Sequence, residues 1–289
     1  RDSSGTDVEI TTKLIEMMRK EAQKKAEELA RKKGEQAKEK QRTAFMDIYA
    51  LGARRHMEKY GSTQRQLAII ASKNHFHGSL NPYAQYQRAM SVEEVLNDEL
   101  VAYPLTRSMC APIGDGSAGV LVCSERFKKK LGSAVQPVRI DASVILSGRM
   151  RREDEESVVA RLAKRAYEMA GIGPKDIDVA EVHDATSFGE LYLTEELGFA
   201  QRGEGGALAE SGATRLGGKI PINPSGGLEC RGHPIGATGL AQIVELVLQL
   251  WGQAGKRQVE GARVALAENG GGFIGIEEAA CSIHILSKA

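Results

Sequence analysis

The sequence predicts an α/β fold, and three observations predict it. Residues 137–286 alternate short apolar strands with amphipathic helices. Many of the 32 glycines crowd into 198–275, a density expected of tight turns and of backbone approaching a ligand. Three strand or loop ends carry histidine, carboxylate or glycine: HDATS (183–187), GHP (232–234) and ENGGG (268–272). In α/β sheets, sites gather beyond the carboxyl ends of strands.

The elements follow in order. Residues 9–41 read as a charged helix with a narrow apolar stripe, either a solvated face or a basic surface for an anionic ligand or partner. Residues 43–60 read as a second helix. Either Ser62 or Thr63 can cap a third; with Thr63 as N-cap, Gln66 completes a capping box, and an apolar run begins at Leu67. Asn81-Pro82-Tyr83 breaks the chain. Residues 91–98 form a short helix with Glu93 and Glu94 in its first turn. Residues 109–125 read as a turn and then a buried strand. PVRIDASVIL (137–146) is a strand. The helix at 156–171 places Val158, Leu162, Ala166 and Met169 on one face and stops at Gly171. A strand at 177–183 delivers His183 and Asp184, and a helix at 187–199 follows. After the glycine-rich loop (202–218), the strongly apolar helix at 240–255 is expected to be buried. Strands at 263–269 and 273–286 close a mixed sheet.

Composition excludes several classes. With 42% hydrophobic and 27% charged residues, global disorder is excluded. A net charge of +1 excludes a basic nucleic-acid binder. No apolar run is long enough to span a bilayer, so no membrane role is expected. The first residues, from Arg1, are polar and unlike a signal peptide. Cys110, Cys123, Cys230 and Cys281 are widely spaced and form no CxxC, which suits a reducing cytoplasm rather than a disulfide scaffold or metal site.

Two histidines and several backbone amides at strand ends suit carbonyl chemistry, with imidazole as base or donor and N–H groups as an oxyanion hole. His183 and His233 are the candidates; His56, His75, His77 and His284 read as structural or surface residues. Cys230 lies three residues before His233. It reads as an acid/base thiol beside that histidine, as a weak metal pair lacking further ligands, or as a small loop residue.

NPSGGLECRGHPIGATGLAQIVELVLQL (223–250) resembles the C-terminal motif of the thiolase superfamily. HDATSFGELYLTEELGF (183–199) resembles the His-Asp-Cys-Phe motif of its sterol-carrier-protein-X type branch, and HMEKYGSTQRQLAIIASKNHFHGSLNPYAQYQ (56–87) and YPLTRSMCAPIGDGSAGVLVCSE (103–125) resemble the same branch. The resemblance covers about 43–289. It implies a duplicated α/β sandwich: a helical loop region at 1–108, the end of an N-terminal half at 109–130, and a complete C-terminal half at 131–289. It also implies that His233 activates a nucleophilic cysteine and that His183, with water, binds the thioester oxygen. Asn223, Ser225, Gly226 and Gly227, with Gly270 and Gly271, would shape the substrate and CoA site.

Three departures bear on the chemistry. No match for the family's nucleophilic cysteine is found; Cys110 and Cys123 lie in another motif. Where the family carries a C-x-G cysteine this chain has Glu268-Asn269-Gly270, and Ala185 occupies the cysteine position of the His-Asp-Cys-Phe motif. Either Cys230 or Glu268 substitutes, or the reaction differs. The nucleophile and the remaining strands of the first half are therefore expected from a preceding segment or another chain.

The resemblance implies thiolytic cleavage of a 3-oxoacyl-CoA. CoA acts as substrate, there is no covalently bound cofactor or metal, and the core is a homodimer. A rival within the superfamily is a thiolase-like aldolase cleaving a CoA-linked side chain with a small OB-fold or zinc-ribbon partner subunit. A third is a non-catalytic subunit that binds CoA esters. The acyl group and the direction of reaction stay open.

Overall fold

A computed structural model of the chain describes residues 44–132 and 136–289, together with Lys13, Glu16, Met17, Lys20, Lys24 and Glu27, each helical. Most of the helix expected at 9–41 therefore lies outside the described residues.

The first layer is helical. It holds α1 (Ala44–Tyr60), α2 (Gln64–Ser79) and the short α3 (Val92–Leu96). The capping box at α2 forms as expected: the Thr63 hydroxyl accepts from the Gln66 amide (3.2 Å) and the Gln66 side chain accepts from the Thr63 amide (2.9 Å). Ser91 and Glu94 close α3 in the same way. A small hairpin, β1 (Leu100–Ala102) and β2 (Leu105–Thr106), follows. Ala50, Leu67, Ile70, Val95, Leu105 and Met109 bury one another there, with Phe188 and Leu191 from the second layer joining them.

The second layer is a four-stranded mixed sheet with strand order β3-β6-β5-β4. Its strands are β3 (Val138–Ser147), β4 (Val179–Glu181), β5 (Val264–Gly271) and β6 (Ala280–Lys288). Only β4 and β5 run parallel, with Glu181 opposite Ala267, so their carboxyl ends lie side by side. Helix α5 (Val158–Ala170) covers one face, burying Val158, Leu162 and Ala166 against Ala142, Ile283 and Ile285. Gly171 ends it in the left-handed conformation (φ 70°). Helix α9 (Thr238–Trp251) covers the other face, where Leu246 and Leu250 meet Val179, Ala265 and Ala267. The alternation of Leu266 toward one helix and Ala265 and Ala267 toward the other is the two-residue period of a strand buried on both sides. Four further helices are short or sit at the edge: α4 (Glu125–Leu131), α6 (Ser187–Glu196), α7 (Gly205–Glu210) and α8 (Gly227–Arg231).

Four expectations are corrected. Residues 111–124 join no strand ladder, and Ile113, Leu121 and Val122 are exposed. A ladder needs a partner strand, and among the described residues none borders this segment. Met169 is exposed, because the buried stripe of α5 ends one turn earlier at Ala166. The closing strand starts at Ala280, not at 273, since Ile274 and Glu277 first pair across a turn. Helix α9 is not buried all round. Its innermost stripe is polar in part (Thr238, Gln242, Glu245 and Gln249), while Leu240 is exposed and Ile243 and Val247 are half-buried. No described helix is long and apolar enough to cross a membrane.

Candidate active site

Two loops deliver the histidines. β4 runs into His183, and the chain turns at once: the Asp184 amide donates to Val182 O (2.9 Å) and the Ala185 amide to His183 O (3.0 Å). Thr186 then caps α6, its hydroxyl accepting from the Gly189 amide at 3.3 Å. The second loop is pinned beside β4 by a parallel bridge between Ile222 and Ala180. It passes through α8 and Gly232 to His233, just before α9.

The two imidazoles meet edge to face, ring centroids 5.0 Å apart and planes at 89°. His233 Nδ1 lies 2.8 Å from the Thr238 hydroxyl, and that hydroxyl lies 3.0 Å from Pro234 O. With the Thr238 proton directed to Pro234 O, Thr238 accepts from His233 Nδ1–H. This leaves a lone pair on His233 Nε2. Burial and then the charge of Arg231 lower the His233 pKa below its usual 6.5. Burial, then His233 and Arg231, take His183 down to about 3. Both rings are therefore neutral near pH 7.

On the β5 side, His183 Nδ1 lies 3.1 Å from Asn269 Nδ2, and that nitrogen lies 3.0 Å from Gln242 Oε1. Gln242 Nε2 donates to Glu268 O at 2.9 Å. The Glu268 carboxyl is wholly buried and accepts from the His183 amide (3.0 Å) and the Cys281 thiol (3.4 Å). Burial, reinforced by Glu278, pushes its pKa up to about 8. Gly270 lets those two carboxyls approach, since a Cβ there would lie 2.7 Å from Glu278 Cγ.

Beneath the histidines lies a buried acidic cluster. Asn74 Nδ2 stands within 3.1 Å of Asp184 Oδ2, Glu190 Oε2 and Glu229 Oε2. Lys73 Nζ reaches Glu190 (2.6 Å) and Ile222 O (2.7 Å). Ser187 donates to Glu229 (2.6 Å), and Ser225 and Arg231 hold Glu181 (2.8 and 3.3 Å). Burial dominates this cluster. It takes Glu181 to about 7 despite Arg231, takes Glu229 to about 8, and raises Asp184 well above the carboxylate range with help from Glu229 and Glu190. Asp184 and Glu229, both on the Asn74 amide, thus favour their protonated forms at neutral pH.

The loop residues implicated by the sequence face this cluster. Asn223 adopts φ 53°; its side-chain Nδ2 donates to Glu190 (2.9 Å) and its side-chain oxygen accepts from the Val182 amide (2.8 Å). Ser225 is buried on Glu181, and Gly226 packs on Gly78 of α2. A Cβ on Gly227 would lie 2.0 Å from Asp184 Oδ2, and its φ is +61°. Gly271 is exposed at the end of β5.

Cys230 is buried, its Cβ against Gly78, and burial with Glu229 and Asp184 raises its thiol well above 9.0. All four cysteines are free thiols. Among the described residues no cysteine is hydrogen-bonded to either histidine, and no group of His, Cys, Asp or Glu is arranged to hold a metal ion. A cleft of about 180 Å3 opens between α1, α6 and the 273–278 turn, lined by Tyr49, His56, Phe188, Tyr192 and Glu278. Neither His183 nor His233 lines it.

Sequence reasoning singled out the two histidines and the surrounding glycine loops. It missed Thr238, Gln242, Asn269, Lys73, Asn74, Glu190 and Glu229. The available sign was Lys73-Asn74, two polar residues continuing the apolar face of Leu67, Ile70 and Ala71 in α2, all buried.

Residues 149–287 match the family described as thiolase C-terminal domain-like. The chain is 44% identical to an acetyl-CoA acetyltransferase of Methanothermobacter thermautotrophicus over 253 residues, covering 86% of the chain and 64% of the relative. It is 42% identical to the benzoylsuccinyl-CoA thiolase subunit BbsB of Thauera aromatica, covering 78% of the chain and 59% of the relative. It is also 42% identical to human sterol carrier protein 2, covering 77% and 42%. The chain thus spans less than two thirds of each. Among solved structures, a chain of the Ltp2-ChsH2(DUF35) aldolase superposes with a TM-score of 0.71 at 23% identity, covering 84% of this chain and 63% of that one, a likeness of fold.

Proposed function

Given that the chain belongs to the thiolase superfamily, we propose that it forms the C-terminal half and loop region of an acyl-CoA thiolase acting on a 3-oxoacyl-CoA. The observation that carries this is the neutral His183–His233 pair, edge to face at 5.0 Å, with the His233 Nε2 lone pair left free. No cysteine of the chain is hydrogen-bonded to that pair, so we assign the nucleophilic thiol to residues outside this sequence, in a preceding segment or another chain.

His233 takes the thiol proton, and the thiolate adds to C3 of the substrate. The C2–C3 bond breaks, and the electron pair leaves as the enolate of acetyl-CoA. His183, with water, donates to the thioester oxygen as its charge grows. The imidazolium of His233 returns its proton to the enolate carbon. CoA then enters, His233 takes its thiol proton, and the acyl group passes to CoA. This assignment does without a second acid/base cysteine. Cys230, buried against Gly78 with a raised thiol, is a packing residue in this scheme. Glu268 holds the His183 amide rather than facing the substrate. Asn223, Ser225, Gly226 and Gly227 shape the site from beneath. CoA is a substrate, the assembly is a homodimer, and the compartment is the cytoplasm.

Ala185 supports a second reading. The resemblance expects a cysteine there, and without it a retro-aldol cleavage with a small OB-fold partner subunit fits the same histidines. Turnover of matched 3-oxoacyl and 3-hydroxyacyl thioesters, with and without CoA, separates the two. CoA-dependent cleavage of the oxo substrate is expected. Cleavage of the hydroxy substrate without CoA would remove the thiolase reading. Absence of any turnover, together with unimpaired CoA-ester binding, would leave a non-catalytic subunit.

A further inference from the structure

We infer that Asn269 and Gln242 are positioning residues that fix His183 as the Nε2–H tautomer, opposite to His233, so that the pair presents one donor and one acceptor to the same ligand oxygen and thiol. This rests on the carbonyl chemistry proposed above. It is carried by a chain of hydrogen bonds with one fixed end.

That end is Glu268 O, a backbone carbonyl on β5, which only accepts. Gln242 must therefore turn its NH2 toward it (2.9 Å) and leaves its own oxygen toward Asn269. An oxygen facing Asn269 requires a donor in return, so the Asn269 NH2 points at Gln242 (3.0 Å). The same nitrogen stands 3.1 Å from His183 Nδ1 and carries a second proton for it. His183 Nδ1 therefore accepts, and the ring proton resides on Nε2. Across the pair, Thr238 donating to Pro234 O goes with the reverse order, the proton on His233 Nδ1 and the lone pair on Nε2. The His183 assignment ends on a main-chain carbonyl that cannot flip. Gln242 belongs to the buried polar stripe of α9, and this relay gives that side chain a purpose that hydropathy does not suggest.

The test reads the tautomers themselves. Long-range 1H–15N correlation spectra of the full-length protein, labelled with 15N-histidine, separate protonated from unprotonated ring nitrogens. His183→Gln and His233→Gln variants assign the two rings. In the unmodified protein His183 is expected protonated on Nε2 and His233 on Nδ1; a His183 proton on Nδ1 overturns the inference without any variant of the relay. Asn269→Asp replaces the donor by a carboxylate that accepts, so His183 is expected to invert to Nδ1–H. With the oxyanion donor lost, kcat should fall about 100-fold while KM changes little. Gln242→Leu releases the Asn269 amide, and a mixture of His183 tautomers is expected. An unchanged, single Nε2–H form in both variants would overturn the relay. Inverted tautomers in a protein without thiolysis would retain the relay and remove the thiolase reading; unchanged tautomers with normal thiolysis would do the reverse.

Discussion

Replacing Thr238 by valine keeps the shape of the side chain and removes the hydroxyl that holds His233. The His233 Nδ1–H loses an acceptor at 2.8 Å and the ring loses its anchor. An unsatisfied donor costs about 1–3 kcal/mol when buried; water reaches this half-buried ring, so the lower part of that range applies, about 1–2 kcal/mol. At about 1.4 kcal/mol per factor of ten, kcat/KM for thiolysis of a 3-oxoacyl-CoA should fall about 5- to 30-fold. The loss should appear in kcat, because the hydroxyl orients the base and touches no part of the bound thioester in the proposed scheme. Thr238→Ser keeps the oxygen and should recover most of the activity. The assay is steady-state thiolysis in the full-length enzyme, with Tm measured beside it. A valine variant within twofold of the parent, or a serine variant as impaired as valine, would refute the reasoning about the base.

Three further outcomes follow from the buried groups. Gly227→Ala drives a Cβ to 2.0 Å from the Asp184 carboxyl at a φ of +61° and should cost about 3 kcal/mol or more, read as a large fall in the urea midpoint; an unchanged midpoint would contradict it. Asn74→Ala strips three carboxyls of a shared donor and should destabilise by about 3 kcal/mol, with His183 and its loop disturbed before the sheet, as hydrogen exchange would report. The pH profile of stability should peak between about 4.5 and 6.5. His77 and His183, both lowered to about 3, stay neutral in the fold while the unfolded chain binds protons below 6.5, so stability falls as pH drops through that range. Glu181, Glu229 and Glu268, raised to about 7, 8 and 8, keep protons that the unfolded chain has released above 4.5, so stability falls as pH rises toward 8. Each group contributes a slope of at most about 1.4 kcal/mol per pH unit. A Tm that rises from pH 6.5 to 8 would contradict the assignment of protonated carboxyls.

The sheet and its helices were legible because their cues are local. Gly171 stops α5, Thr63 and Gln66 start α2, and the period of Val158, Leu162 and Ala166 marks a buried face. The histidines were legible because each stands where a strand or glycine loop ends. The relay behind them was not. Asn269 meets His183 across 86 positions of sequence, and no short-range pattern marks that contact. Hydropathy misread α9, because its inner stripe carries Gln242, Glu245 and Gln249, whose polar atoms are satisfied in part by partners outside the helix, such as Glu268 O and Arg257. It misread 109–125 for the opposite reason. An apolar run predicts a strand only when a partner ladder borders it, and sequence alone does not reveal the partner.

The most direct measurement is the intact mass of the full-length protein before and after exposure to an acyl-CoA, with His233→Ala alongside. A gain of one acyl group in the parent, lost or greatly slowed in the variant, is the predicted result and identifies an acyl-cysteine formed with His233 as base. An unacylated parent that still cleaves a 3-hydroxyacyl-CoA in the absence of CoA would contradict it.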